Sequence, residues 1–315
     1  MKSLLLITLL FSSLFANQNI KEEELLSRTR ALMGTYVSIT LAEKHNSTIS
    51  SSFNLIQNIE DSLSTYDPNA TLAKLNKNHV VPYDLYLPEA IKLSKNYYID
   101  TKGYFDITIG SISKKLYHFG EEKTYSPSKE ALHQAVLNID GIHLNEHNIT
   151  TEKHIVVDLG GMGKGYAVDK TVAYLKEQNI SKGIIALSGD IQCLHKCEIY
   201  LQSPFSEATF AKVNTLHPYT SISTSGTYRR YATKKSEHHL INPKTATQGR
   251  AFVSVSLFTL ADNSKIDAYA TAVSVMPKDK ALTFLKEHTE IGYVLVEPDG
   301  NIITGNLENL LEIKL

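Results

Sequence analysis

Ile155-Val-Val-Asp-Leu-Gly-Gly-Met-Gly-Lys-Gly-Tyr-Ala-Val-Asp-Lys170 is the stretch on which the reading of the whole chain turns. Ile155 to Val157 are β-formers that run into Asp158. Gly160, Gly161, Gly163 and Gly165 then surround Lys164, and an amphipathic pattern follows. A strand that ends in a Gly-rich turn and opens a helix can bring backbone N–H groups close to a phosphate, because no Cβ stands in the way. Lys164 would add a point charge there. The spacing is neither the dinucleotide fingerprint nor a P-loop. Taken alone, a tight strand–helix turn whose glycines allow close packing is the better reading.

Working outward, the chain has 315 residues, enough for one large domain or two smaller ones with a real core. Lys+Arg is 32 against Asp+Glu 33, so no global basic field is present and nucleic acid is not an expected partner. Residues 1–16 read as a signal peptide: Lys2 starts it, Leu4 to Phe15 is mostly apolar, and Ala16 precedes the cut. An uncleaved anchor is the rival reading. No Cys lies near this site to accept a lipid. The expectation is therefore a periplasmic protein without stable membrane insertion after cleavage, with residues 17–315 as the working domain. Cys193 and Cys197 flank Leu-His-Lys between expected strands. A bridge or two free thiols are favoured over a metal site, which this pair with His195 could not complete.

Periodicity supplies the elements. Strands are expected at Tyr36–Ala42, Tyr104–Ile109, Ile155–Val157, Gly183–Ser188, Glu198–Gln202, Tyr219–Thr224 and Val253–Thr259. A closing hairpin is expected from Ile291–Val296 and Asn301–Thr304. Ser225-Gly226 reads as a turn. Helices are expected at Ser50–Leu63, Thr71–Lys77, Pro88–Tyr98, Ser126–Leu137, Asp169–Gln178, Lys265–Val275 and Lys280–His288. Residues 18–30 read as a short helix or a loose lead-in. Antiparallel-looking strands mixed with helices point to α+β rather than strict βαβ alternation.

Four further motifs carry candidate chemistry. In Asp267-Ala-Tyr-Ala-Thr271 the carboxylate and the hydroxyl share a helix face, and two hard oxygens one turn apart suit Mg²⁺. In isolation, Asp267 simply favours the helix dipole and Thr271 bonds back to a carbonyl. In His238-His-Leu-Ile-Asn-Pro243 a His could act as a base, or merely satisfy loop carbonyls. Ser223-Thr-Ser-Gly-Thr-Tyr228 could bind an anion or turn the chain. Tyr104-Phe-Asp106 could stack a flat ring, or place a Phe in the core.

Together these residues resemble the ApbE family of flavin transferases. The matches are Met33-Gly-Thr35, Ser64-Thr-Tyr66, Phe105-Asp-Ile-Thr108, Asp158 to Gly165, Ser188-Gly-Asp190, Thr224-Ser-Gly226 with Tyr228, His239 to Pro243, and Asp267 with Ala270-Thr271. Each is soft, but their order and their spread over the chain are specific. The resemblance implies an α+β fold of duplicated, tunnelling-fold-like sheet-and-helix units around a central FAD cleft. It implies a Mg-dependent FAD:protein FMN transferase that moves FMN from FAD to a Thr or Ser hydroxyl and releases AMP. FAD hydrolysis to FMN and AMP, or FAD binding without chemistry, are the alternatives. By position, His239 would be the base. Met33, Tyr66, Tyr104, Phe105, Asp106, Asp158, Lys164 and Ile241 would contact FAD. Gly161, Asp267 and Thr271 would hold the metal. Acceptors would be flavoprotein subunits, including membrane-bound redox proteins that face the periplasm. Three departures stand out. Gly163 replaces a common Ala and would loosen the turn. Asn242 replaces a common Asp and would alter the pKa of His239. Ala270 replaces an acid found in some members and would leave the metal one carboxylate fewer.

Overall fold

A computed structural model describes residues 23–315. The signal peptide expected over residues 1–16 lies outside the described residues. The alternating stretches assemble one eight-stranded sheet. Its strands are β1 (Leu25–Leu32), β2 (Thr35–Ala42), β3 (Gly183–Leu187), β4 (Asp190–Cys193), β5 (Thr220–Gly226), β6 (Ser254–Thr259), β7 (Gly292–Val296) and β8 (Ile302–Gly305). Each lies beside its neighbour in this order, and every pairing is antiparallel.

Helices interrupt this meander at two corresponding places. α1 (Asn46–Leu63), α2 (Thr71–Asn78), α3 (Leu87–Asp100) and α4 (Gly163–Glu177) lie between β2 and β3. α5 (Asn263–Val275) and α6 (Lys278–Glu287) lie between β6 and β7. The sheet thus divides into two units of one plan: two paired strands, helices, two paired strands. This is the duplicated α+β arrangement expected.

Side-chain alternation explains the layers. Val37, Ile39 and Leu41 of β2, Ile185 and Leu187 of β3, and Val255 and Leu257 of β6 face the helices and share a core with Ile56, Val168 and Tyr269. Over the second unit, the opposite sheet face is covered by a three-stranded sheet of Glu198–Gln202, Thr209–Thr215 and Leu311–Lys314. Cys193, Ile222, Phe258 and Val294 meet Ile199, Leu201 and Val213 there in a second core. Leu257 and Phe258 therefore enter different cores, and β6 is buried along its whole length. Burial of each such large side chain contributes roughly 1.5–3 kcal/mol. Cys193 and Cys197 are disulfide-bonded, closing the loop between β4 and Glu198–Gln202. No helix among the described residues is long and apolar enough to cross a membrane.

Five expectations need correction. Residues 25–32 are a strand, not a helix or loose lead-in. Arg28 and Arg30 occupy its inward positions: Arg28 donates to Asn46 Oδ1 at 3.0 Å and Ser50 Oγ at 2.8 Å, and Arg30 lies 4.8 Å over the Phe53 ring. Charged residues that cover a helix with their stems hide the apolar period. Tyr104–Ile109 is not a strand. Asp106 Oδ1 accepts from Thr108 N at 2.8 Å and Thr108 Oγ1 at 2.6 Å, and this local bonding curls the chain. Ile155–Val157 keeps only the Ile109–Val156 bridge. Asn76 replaces a neighbouring strand: its Oδ1 accepts from Val157 N at 2.7 Å and its Nδ2 donates to Val157 O at 2.9 Å. The helix expected over 126–137 shrinks to Lys129–His133, capped by Ser128, and Ser225-Gly226 continues β5 rather than turning it.

Candidate active site

A cavity of about 780 Å³ opens where the two units meet. That size suits a cofactor-sized ligand. Met33, Tyr66, Tyr104, Phe105, Asp106, Asp158, Gly161, Lys164, His239, Ile241, Asp267 and Thr271 all line it, so the structure brings together every site residue expected from the sequence. Hairpin tips supply part of the wall. Leu32 pairs with Thr35, so Met33 and Gly34 form a two-residue turn with φ 53° and 67°. Both positive angles match the primed turn that suits twisted strands. Ser188, at φ 58° in the β3–β4 turn, is a second non-glycine held in the left-handed region at the cavity wall.

The glycine stretch forms the first turn of α4 and packs it against α5. A Cβ on Gly165 would lie 2.6 Å from the Asn263 carbonyl oxygen, so Gly165 permits the helices to touch. Its N–H donates to Asp267 Oδ2 at 3.1 Å. A Cβ on Gly161 would stand 3.0 Å from Thr271 Oγ1. A Cβ on Gly163 would make ordinary contact with Leu63 Cδ1 and Met33 Cε, both at 3.9 Å. The close-packing reading of these glycines is the one realised at Gly165.

Lys164 joins two buried carboxylates. Its Nζ lies 2.7 Å from Asp190 Oδ2 and 3.3 Å from Asp267 Oδ2. Burial opposes its charge, but Asp190 and Asp267 hold its pKa above the ordinary lysine value. Asp267, 2% exposed, is pushed up to about 7 by burial and by the Asp190 charge, against the pull of Lys164 and the Gly165 N–H. Asp158 is also enclosed. Burial raises its pKa, yet Lys114 at 3.7 Å, the Gly160 N–H and the Ser113 hydroxyl together hold it below the usual value. Burial raises the pKa of Asp106 despite the two Thr108 bonds.

His239 sits half-buried at the cavity wall. Burial first, then the Arg230 charge, lowers its pKa to about 4. Its Nδ1 lies 3.1 Å from the Arg230 carbonyl oxygen. A carbonyl only accepts, so Nδ1 carries the hydrogen and Nε2 keeps a free lone pair. Asn242 does not tune this ring. It donates to the Val275 carbonyl at 3.0 Å and accepts from Lys244 N at 2.9 Å. Ala270 packs in the apolar core away from the cavity, so its replacement of an acid removes no carboxylate from the cavity wall.

Aromatic rings line the remaining wall. Lys114 Nζ stands 4.0 Å over the Tyr66 ring, and Lys244 Nζ 4.9 Å over the Tyr104 ring. Asp190, Lys114 and Arg230 are the site residues that sequence reasoning missed. Asp190 was visible as the end of Ser188-Gly-Asp190, but nothing in the order of residues places it beside Lys164.

Gly161, Asp267 and Thr271 offer one carboxylate, one hydroxyl and one backbone oxygen on a single wall; Thr271 Oγ1 lies 3.4 Å from the Gly161 oxygen. No group of three or more His, Cys, Asp and Glu able to hold a metal occurs among the described residues. A cage of many carboxylates is therefore not what this wall offers. One carboxylate with neutral hard oxygens fits Mg²⁺, which keeps water or phosphate oxygens as its other ligands.

The ApbE family model matches residues 33–295. The FAD:protein FMN transferase of Haemophilus influenzae is 26% identical, over 90% of this chain and 90% of that protein. The protein of the same name from Buchnera aphidicola is 27% identical, over 88% of this chain and 86% of that one. Among solved structures, the ApbE protein of Thermotoga maritima has a TM-score of 0.78 at 20% identity, over 90% of this chain and 97% of that one. The flavin transferase ApbE of Vibrio cholerae has a TM-score of 0.75 at 20% identity, over the same shares of the two chains. These structures share the fold described above.

Proposed function

We propose that this chain, which belongs to the ApbE family, transfers FMN from FAD to a Ser or Thr hydroxyl of an acceptor protein and releases AMP. The observation that carries the reading is that the family's scattered motif residues line one cavity between the two units. Relatives matching nearly the whole chain bear the name of that activity.

The residues divide the work as follows. Met33, Tyr66, Tyr104, Phe105 and Ile241 offer FAD's flat rings apolar and aromatic surface. Asp106, Asp158 and Lys164 form the polar wall. Gly161, Asp267 and Thr271 would hold Mg²⁺, which when bound neutralises diphosphate charge. The acceptor oxygen bonds to the FMN phosphorus, the P–O–P linkage breaks, and AMP leaves with the electron pair. Nε2 of His239 takes the hydroxyl proton. The ring is neutral at physiological pH, and the negative diphosphate favours its protonated form as the proton arrives. Lys164, paired with Asp190, keeps the Asp267 carboxylate in place.

The acceptors are proposed to be redox subunits that face the periplasm, some of them membrane-bound, and this chain to be exported to meet them. The test is incubation with FAD, Mg²⁺ and such subunits, read by in-gel flavin fluorescence with a chelator control. Covalent fluorescence that the chelator abolishes supports the reading. AMP release with no labelled acceptor indicates hydrolysis, and FAD retained unchanged indicates a carrier.

A further inference from the structure

The acceptor in the reaction proposed above is a polypeptide, and one part of the cavity wall is suited to polypeptide backbone. Glu198–Gln202 is an outer strand of its three-stranded sheet. Ile199, Tyr200, Leu201 and Gln202 also line the cavity that holds Gly161 and His239. Among the described residues, no other outer strand of the eight-stranded or three-stranded sheets reaches that wall.

The hydrogen-bond phase of this strand is set at its start. Thr215 N donates to the Cys197 carbonyl at 2.9 Å. Bonded pairs alternate along an antiparallel ladder. Ile199 and Leu201, opposite Val213 and Ala211, therefore bond inward. The N–H and C=O groups of Glu198 and Tyr200 point away from the sheet. Ile199 and Leu201 are buried in the second core, which anchors the strand, whereas Tyr200 is 55% exposed. Tyr36, 75% exposed, lines the same cavity. The end of the strand is tied to the base: Arg229 donates to Gln202 Oε1, and the next residue, Arg230, holds His239 through its carbonyl.

We propose that the acceptor docks as an extended segment, adding a strand along Glu198–Gln202 through main-chain bonds to Glu198 and Tyr200. This placement leads its Ser or Thr hydroxyl to His239. Main-chain recognition tolerates varied side chains, as strand addition does elsewhere. An open edge is a liability on most proteins; here it lies where a polypeptide has to enter. The proposal rests on the transferase reading.

The probe is a library of short peptides with one central Thr between randomised flanks. It is incubated with the full chain, FAD and Mg²⁺ and read by gain of an FMN mass. Each backbone amide of the best peptide is then N-methylated in turn. Strand addition predicts loss at every second position, roughly tenfold for each bond removed, with the positions between tolerated. On the enzyme, Tyr200→Pro removes an outward N–H without taking a bond from the sheet. It should raise KM for the peptide roughly tenfold, with the effect on the peptide rather than on FAD affinity. The methylated series decides the matter should that variant fail to fold. Losses without alternation, or an unchanged KM in a folded Tyr200→Pro, overturn the docking and leave the transferase reading intact. Labelling of protein acceptors but of no peptide also overturns it, because a lone strand is claimed to suffice. If neither peptides nor proteins gain FMN, both readings fall.

Discussion

α4 and α5 pack side by side and look alike in length, yet they do different work. α4 opens with the glycine motif and contributes the cation Lys164. α5 contains no glycine, is buried along nearly its whole length, and contributes Asp267 and Thr271. The joint between them is made twice. Gly165 leaves room for the Asn263 carbonyl, and Asp169 on α4 accepts from the first N–H groups of α5, Asn263 N at 2.7 Å and Ser264 N at 2.9 Å. The conspicuous motif is thus a joint, and the side-chain oxygens proposed to hold the metal come from the helix that carries no glycine signature. Even the Gly165 N–H, which an anion could have used, is taken by Asp267.

The largest effect tests the side of α5. Asp267→Ala removes the one carboxylate among the proposed metal-holding oxygens, and transfer should fall on the order of a hundred- to a thousandfold while circular dichroism stays native. Normal Mg²⁺-dependent turnover would end the contrast. His239→Ala sharpens it, because the proposed base lies on neither helix. The rate should drop roughly a hundredfold with FAD affinity nearly unchanged, and equal losses in both would make His239 a binding residue. With its pKa lowered to about 4, His239 stays neutral through the ordinary histidine range, so any break in kcat/KM there belongs to another group such as Asp267 and should persist in His239→Ala. A break there that His239→Ala removes would contradict the burial argument.

Smaller effects test the joint. Gly165→Ala forces a methyl against backbone and should cost about 1–3 kcal/mol in denaturant unfolding. A neutral result would mean that α4 and α5 separate easily. Asp169 has its pKa raised by burial to about 6, although the Asn263 and Ser264 N–H groups oppose this. The folded state therefore holds a proton that the unfolded state has released, and stability falls as pH rises from about 4 to 6. Asp169→Asn should flatten that slope in melts across this range; an unchanged slope would assign it to another group. Gly163→Ala, whose methyl would meet only Leu63 and Met33 at an ordinary 3.9 Å, should stabilise α4 by about 0.5–1 kcal/mol. Destabilisation would show that the glycine is needed for more than conformational freedom.

How much could be read in advance follows from the range of the forces involved. α1 and α6 were legible because burial on one face imprints a period on neighbouring residues. β1 was hidden by inward-facing arginines. Tyr104–Ile109 and Ile155–Val157 misled because strand-forming residues there bond to the side chains of Asp106 and Asn76 instead of to a ladder. β6 gave a clear strand signal, but that it is buried on both faces depends on a sheet contributed by residues far away in the chain.

The order of residues by itself determined the period of the main elements, the family's motifs and the choice of most candidate residues that line the cavity. These rest on local propensity and chemical type, which travel with the chain. Only the tertiary structure decided that Lys164 sits between Asp190 and Asp267, that Gly165 serves as a joint, and that Glu198–Gln202 leaves the outward backbone groups of Glu198 and Tyr200 without a ladder partner. Charges act over distances in space rather than along the chain, and whether a backbone group is satisfied depends on which segment folding sets beside it.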